Sequence, residues 1–285
     1  MNHHQGSFAI KEFIPYAKYD PRKIWNSLSL RFALGIDGLL GKPRCYMHLA
    51  CPDITQQTVS FRWQRKIFSV SCDSDSPVID EIREIIELDI YNLKKIQSKD
   101  PSQLVVIDAG ANIGLFSLVI SAMGVKTIAA IEPFHKNQDY IQKNLENNQL
   151  PVPHIFRGAL VSAHSKIYLK LAPDSVGHAV THQQIPGVKI LEIQGYTLQD
   201  VYHMLEKQHI DLLKMDIEGS EYDVLLNSPD EWFSPIQNIA MEFHEKTDYP
   251  RHSILINRLN ALGYTVTTLP DPHHRRGLGM IYASR

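Results

Sequence analysis

The stretch that most constrains this chain is Leu104–Leu118, LVVIDAGANIGLFSL. An apolar, β-branched run stops at Asp108. Gly110, Asn112 and Gly114 then punctuate a tight turn, and an apolar helix-forming run follows. A buried strand that ends at a carboxylate and a glycine turn, then enters a helix, is the nucleotide-cradling corner of a doubly wound α/β sheet. Glycine lets a ligand approach the backbone with no Cβ in the way, and the helix start offers free N–H groups. The spacing is G-x-N-x-G and lacks the third glycine of the dinucleotide fingerprint.

From Leu104 onward, strand and helix patterns alternate with short breaks. Leu104–Gly110, Lys126–Glu132, His154–Ser162, Asp211–Ile217 and Ile236–Phe243 read as core strands, with Lys166–Leu171 and Val188–Ile193 also strand-like. Gly114–Met123, His135–Asn148, Thr197–Gln208 and His252–Leu262 read as helices, the third with Thr197 as N-cap and Asp200 three residues on. Alternation of this kind predicts a mostly parallel sheet covered by helices on both faces. The last two strands, Tyr264–Leu269 and Met280–Ser284, are joined only by a loop. They must pair antiparallel, since a parallel return needs a crossover of about a dozen residues.

The N-terminal part, residues 1–76, reads as a separate α+β extension before a domain spanning 77–285. Pro43–Cys51, Thr58–Trp63 and Lys66–Cys72 look like short strands, with a turn near Gln64-Arg65. Residues 1–40 are aromatic-rich and without clear periodicity, which suits a lid, an acceptor wall or an oligomer contact. Ile79–Ile96 carries apolar residues at near-helical spacing and is expected as one continuous helix beside the sheet. No internal repeat is visible.

At 285 residues, with 44% hydrophobic and 21% charged content, the chain can bury a sizeable core. A net charge of −2 gives no global field toward nucleic acid or an anionic membrane. No apolar run is long enough for a membrane span. Three cysteines, none in C-x-x-C, fit free thiols in a reducing compartment, and the start MNHHQGSFAIKEFIP lacks the features of a signal peptide. The expected location is cytoplasmic. Of the 14 histidines, pairs such as His3-His4 and His273-His274 read as solvated loop residues.

The corner at Gly110 reads as a site for S-adenosylmethionine. Asp108 can accept from its α-ammonium, directly or through water. Glu132, at the end of the second strand before Pro133, can accept both ribose hydroxyls, a position that also holds ribose in dinucleotide enzymes. Gly158-Ala159 closes the third strand near where an adenine edge would lie. A second constellation is Asp211–Leu226, DLLKMDIEGSEYDVLL. Strand alternation puts Lys214, Asp216 and Glu218 on one face. A lysine in a central strand demands a partner, Asp108 or Glu242. Glu242 and His244 share one face of IAMEFHE, so adjacent strand ends bring Asp216, Glu242 and His244 toward one crevice.

VIDAGANIG, IEPFHKNQDYIQKNLENN, DLLKMDIEGSEYDVL and MEFHE together resemble the FkbM-type methyltransferases, S-adenosylmethionine-dependent enzymes that methylate hydroxyl oxygens. The resemblance spans about Leu104 to Ser284. It implies a class I methyltransferase fold, Rossmann-like, with a mostly parallel seven-stranded sheet closed by the antiparallel C-terminal hairpin. It implies that Asp108, Gly110, Asn112 and Gly114 form the cofactor loop, that Glu132 holds the ribose and that Asp216 stands beside the reacting centre. The expected reaction is methyl transfer to a hydroxyl of a small molecule, a glycan or a natural product. His244 or Asp216 is then the base, or a divalent cation such as magnesium, held by Asp216 and Glu242, lowers the hydroxyl pKa. The competing readings are an NAD(P)-dependent oxidoreductase on a related fold and a catalytically silent binding domain. Nucleic acid is the poorer acceptor, given the absence of a basic stripe.

Overall fold

The computed structural model describes the backbone of strands 31–34 and 44–48, and residues 56–97, 100–172, 177–184, 186–245, 251–273 and 275–285. The aromatic-rich stretch 1–40 lies outside the described residues apart from strand 31–34, as do His3, His4, Cys51 and His274. Two compact units are present, Met1–Ser74 and Asp75–Arg285.

The first unit holds an antiparallel meander, β1 (Arg31–Leu34), β2 (Arg44–His48), β3 (Gln56–Trp63) and β4 (Lys66–Asp73), in that spatial order. The β3–β4 turn is formed by Gln64 and Arg65, both at positive φ (47° and 66°), the two-residue geometry that matches strand twist. Phe61 stacks on Phe68 at a centroid distance of 5.5 Å.

The second unit opens with α1 (Val78–Ile82), which widens into a π turn over Arg83–Glu87. The continuous helix expected over Ile79–Ile96 is not formed. Asp89 and Asn92 adopt positive φ (52° and 55°), and the Asp89 carboxylate accepts the backbone N–H groups of Leu93 (2.5 Å) and Lys94 (3.3 Å). A short aspartate side chain that bonds its own following backbone competes with the helix and ends it. The chain resumes as α2 (Lys94–Gln97), and the break turns Tyr91 into the interior, where it is 5% exposed.

The sheet begins with β5 (Val105–Ala109), α3 (Leu115–Ala122), β6 (Thr127–Glu132), α4 (His135–Asn147) and β7 (His154–Leu160). An antiparallel insertion follows, β8 (Ile167–Lys170), β9 (Ala179–Thr181) and β10 (Ile190–Tyr196). Then come α5 (Leu198–Leu205), β11 (Leu212–Met215), α6 (Glu221–Asn227), β12 (Asn238–His244), α7 (Ser253–Ala261), β13 (Thr265–Pro270) and β14 (Leu278–Ser284). The strand order is β13-β14-β12-β11-β5-β6-β7-β10-β8-β9. Strands β12, β11, β5, β6 and β7 are parallel, and β14 pairs antiparallel with both β12 and β13.

This is the architecture expected, a parallel α/β sheet closed by an antiparallel hairpin, with one difference in size. Among the described residues the sheet has ten strands rather than seven. The end of β10, Gln194–Tyr196, pairs parallel with β7, while its first half pairs antiparallel with β8. One long strand thus carries a hairpin onto the sheet edge. Gly158 allows the approach: a Cβ there would stand 2.2 Å from the carbonyl oxygen of Gln194. A continuous core of Ile107, Leu213, Met215, Ile239, Met241 and Ile281 with Leu225 and Leu255 from α6 and α7 covers one face of the sheet. Burial of this aliphatic set is the main stabilising term, at ~25 cal/mol per Å² of apolar surface.

Candidate active site

The carboxyl ends of β5, β6, β7, β11 and β12 open on a cavity of about 440 Å³. Ligands bind in open α/β sheets at this edge because the strand ends leave backbone groups free beside the turns. The floor is the glycine turn after β5. Gly110, Asn112 and Gly114 all adopt positive φ, at 76°, 49° and 82°. A Cβ on Gly110 would stand only 1.7 Å from the carbonyl oxygen of Asp216, so the turn and the β11 end fit only with glycine here. Gly114 caps α3 and packs on Ile141 of α4, away from the cavity wall.

Asn112 links two sides of the site. Its backbone N–H donates to Glu132 Oε2 (2.9 Å), its Oδ1 accepts from Asn137 (3.0 Å), and its Nδ2 donates to Glu81 Oε1 (3.3 Å). Glu132 Oε1 accepts the backbone N–H of Phe134 (2.9 Å). Burial pushes the Glu132 carboxyl up to about 7, against the downward pull of those hydrogen bonds. Glu132 still lines the cavity, beside Pro133, Ile131, Ala159, Leu160 and Val180.

Asp108 is placed differently from expectation. It is fully buried behind the cavity wall, where Oδ2 accepts Ser117 Oγ (2.7 Å) and Oδ1 lies 3.2 Å from Lys214 Nζ. Asp108 is thus the partner that Lys214 required, and it does not reach a ligand directly. Lys214 also donates to the Gly110 carbonyl (2.7 Å), tying β11 to the glycine turn. Burial alone would lower the lysine pKa, but Asp108, Asp216 and Glu242 raise it above the ordinary value. Gly158 likewise faces Gln194 rather than the cavity, while Ala159 reaches it.

Asp216, Glu242 and His244 do converge on one wall. Asp216 Oδ2 accepts from Tyr91 (3.4 Å), and its Oδ1 is 3.9 Å from His244 Nε2. Glu218 Oε2 is 3.8 Å from the same nitrogen. On the other ring edge, His244 Nδ1 is 2.9 Å from Glu221 Oε1, a carboxylate with no solvent exposure at the start of α6. Burial opposes a charged imidazole, but the Glu221 hydrogen bond and the charges of Glu221, Asp216 and Glu218 raise His244 to about 10. This setting favours the protonated ring, whereas a base needs a free ring nitrogen. Burial and the Asp216 charge push Glu242 up to about 8. One ligand atom each from Asp216, Glu218 and His244 lie within 4.8 Å of one another.

Several lining residues were not legible in the sequence. Glu81 and Glu84 come from α1 and its π turn, and Glu221 and Tyr91 stand behind Asp216 and His244. An acidic residue at a helix start reads as a favourable charge on the helix dipole, which hides a second task. From the β13–β14 loop, His273 Nε2 meets Glu84 (2.9 Å), and Arg275 meets Asp271 (2.5 Å), Glu242 (3.5 Å) and Glu84 (3.8 Å). His273, read as a solvated loop residue, is indeed exposed, yet it and Arg275 pair with these carboxylates. Among the described residues no helix is long and apolar enough to cross a membrane.

The chain matches the methyltransferase FkbM domain over residues 108–266. It is 25% identical over 187 residues to Methyltransferase 1 of Beauveria bassiana, covering 58% of this chain and 74% of that protein. It is 26% identical over 211 residues to the AMB antimetabolite synthetase AmbE of Pseudomonas aeruginosa, covering 60% of this chain but 10% of that protein. Among solved structures, the N-terminal domain of human METTL16 in complex with SAH aligns with a TM-score of 0.41 at 15% identity, covering 71% of this chain and 69% of that one. With the domain match running through the glycine turn, Glu132, Asp216 and Glu242, the chain belongs to the FkbM methyltransferase family and is a methyltransferase.

Proposed function

We propose that this methyltransferase uses S-adenosylmethionine and transfers its methyl group to a hydroxyl oxygen of a small molecule, a sugar or glycan, or a natural product. The observation that carries the reading is the convergence of Asp216, Glu242 and His244 on the cavity that the glycine turn floors. The donor's parts have fitting counterparts in this wall. Glu132 and Asn137 offer polar groups for the ribose, Pro133, Ile131, Ala159, Leu160 and Val180 an apolar slot for adenine, and carboxylates a setting for a cation. When bound, the donor supplies an electrophilic methyl carbon on a positively charged sulfur.

The protein then has to align the acceptor and remove its hydroxyl proton. Asp216 is the base: it faces the cavity, with Tyr91 on one oxygen and His244 Nε2 3.9 Å from the other. Tyr91 and Glu221 fix Asp216 and His244 in place. Proton transfer to Asp216 is the mechanism tested first, and the chelation arm below tests it against a divalent cation held by Asp216 with Glu242, or with Glu218 and His244. Carboxyl groups on this cavity (Glu81, Glu84, Glu132, Asp216, Glu218 and Glu242 among them) outnumber the basic groups His244, His273 and Arg275, which favours a neutral acceptor over a phosphate backbone. Similarity to a stretch of an antimetabolite synthetase supports a small-molecule acceptor.

The test has two arms. Calorimetry should show binding of S-adenosylhomocysteine and none of NADH; absence of affinity for both S-adenosylmethionine and its demethylated product overturns the donor assignment. Mass spectrometry of a small-molecule extract incubated with methyl-labelled donor should show a labelled ether, undiminished after chelation with EDTA. A labelled amine or thioether, or activity lost to EDTA and restored by magnesium, overturns the corresponding part.

A further inference from the structure

We propose that Glu81 is the carboxylate that directly receives the α-ammonium of the donor, a contact that buried Asp108 does not reach. The assignment rests on the donor reading above and adds a residue from outside the matched region 108–266.

The argument begins with what Asp108 does. Its oxygens are committed to Ser117 and Lys214, and the side chain has no exposure. An ammonium in the cavity that is met directly by a carboxylate therefore needs another acceptor. The hydrogen bonds through Asn112 set a direction along the floor. At one end Asn137 and Glu132 meet Asn112, and at the other Asn112 Nδ2 meets Glu81. If Glu132 holds the ribose, the amino-acid end of the donor extends past Asn112 toward Glu81.

Glu81 also has the electrostatic setting of a group awaiting a cation. It lines the cavity, and among the described residues no lysine, arginine or histidine lies within ion-pair distance of its carboxylate. Its hydrogen-bond donor among the described residues, Asn112, is neutral. Burial, followed by the negative charges of Asp216 and Glu84, pushes the carboxyl up to about 7, with Lys214 pulling the other way. A carboxylate kept partly from water beside like charges is costly until a positive group arrives. An ammonium there forms a charge-assisted hydrogen bond and relieves the repulsion from Asp216. Asn112 holds Glu81 by one oxygen, Oε1, and the residue lines the cavity.

The test compares ligands with and without the ammonium on the intact chain. S-adenosylhomocysteine carries it; its desamino analogue and 5′-methylthioadenosine do not. On the wild type, the desamino analogue should bind about tenfold more weakly than S-adenosylhomocysteine, the factor expected for one charged hydrogen bond. Glu81→Gln should weaken S-adenosylhomocysteine by a similar factor, leave methylthioadenosine within about twofold, and no longer distinguish S-adenosylhomocysteine from its desamino analogue. Equal binding of those two ligands by the wild type overturns the assignment without any variant. So does a Glu81→Gln protein that binds S-adenosylhomocysteine as tightly as the wild type, or that loses methylthioadenosine equally. A wild type that binds none of the three ligands instead overturns the donor reading, and with it this assignment.

Discussion

Asp216 is held by neighbours on both sides: Tyr91 donates to one oxygen and the His244 imidazolium faces the other. Asp216→Asn keeps the size and an acceptor oxygen but cannot take a proton. Methyl transfer should fall by about 10²–10⁴, the usual worth of a positioned base, while calorimetry still detects S-adenosylhomocysteine. Turnover within a few-fold of wild type would remove Asp216 from the base role. Residue types and spacing alone brought Asp216, Glu242 and His244 together, because strand period sets which side chains share a face and successive strands of an α/β unit tend to lie side by side. The same reasoning failed for Asp108. Its distance from the glycine turn is right, but Ser117 and Lys214 lie on other elements, and only packing shows that they close it off.

Among the elements, α5 was the most legible. Thr197 Oγ1 accepts the Asp200 backbone N–H (3.2 Å), and the Asp200 carboxylate accepts the Thr197 N–H (2.7 Å), a reciprocal cap written in four consecutive residues. Thr197→Ala should cost about 1 kcal/mol in urea unfolding without altering donor affinity. No change in midpoint would show that packing of Leu198 and Val201 alone holds the helix start. The stretch Ile79–Ile96 is the contrary case. Its apolar spacing suits a helix, yet Asp89 breaks it, and Tyr282 OH donates to the Ile90 carbonyl from the far end of the chain. Helical spacing records which residues are apolar, not whether a buried tyrosine needs the backbone to turn. Of the insertion strands, β8 and β10 were legible as strand-like stretches, while β9 (Ala179–Thr181) and the way the insertion joins the sheet were not. Each half of β10 pairs with a different neighbour, and register between strands is a long-range choice.

For the molecule as a whole, several titrating groups push stability the same way. Glu81 and Glu132 rise from 4.5 to about 7, Glu242 from 4.5 to about 8, and His244 from 6.5 to about 10. In each case the folded protein binds protons more tightly than the unfolded chain. Their contribution is complete below the unfolded values and is lost as pH rises through the folded ones, that is, across pH 4.5–10. Thermal midpoints should therefore fall steadily from pH 5 to pH 9, and His244→Gln should flatten the upper part of that decline. A midpoint that holds level or climbs over this interval would contradict the buried, protonated state of these groups. Below pH 4.5 the opposite sign enters through Asp271, which Arg275 and nearby N–H groups hold below the usual carboxylate range despite its burial.

What the sequence by itself determined is the alternating sheet, the glycine turn at its carboxyl edge and the acidic strand ends beside it. These follow from side-chain periodicity and from glycine's access to positive φ, properties of short segments. Only the tertiary structure decided which carboxylates face the cavity and in what charge state. Glu81 is on its wall and Asp108 behind it, Glu221 locks His244 as a cation, and Lys214 ties β11 to the turn. Burial and long-range contact set those outcomes, because a group's solvation and partners come from elements far away in the chain.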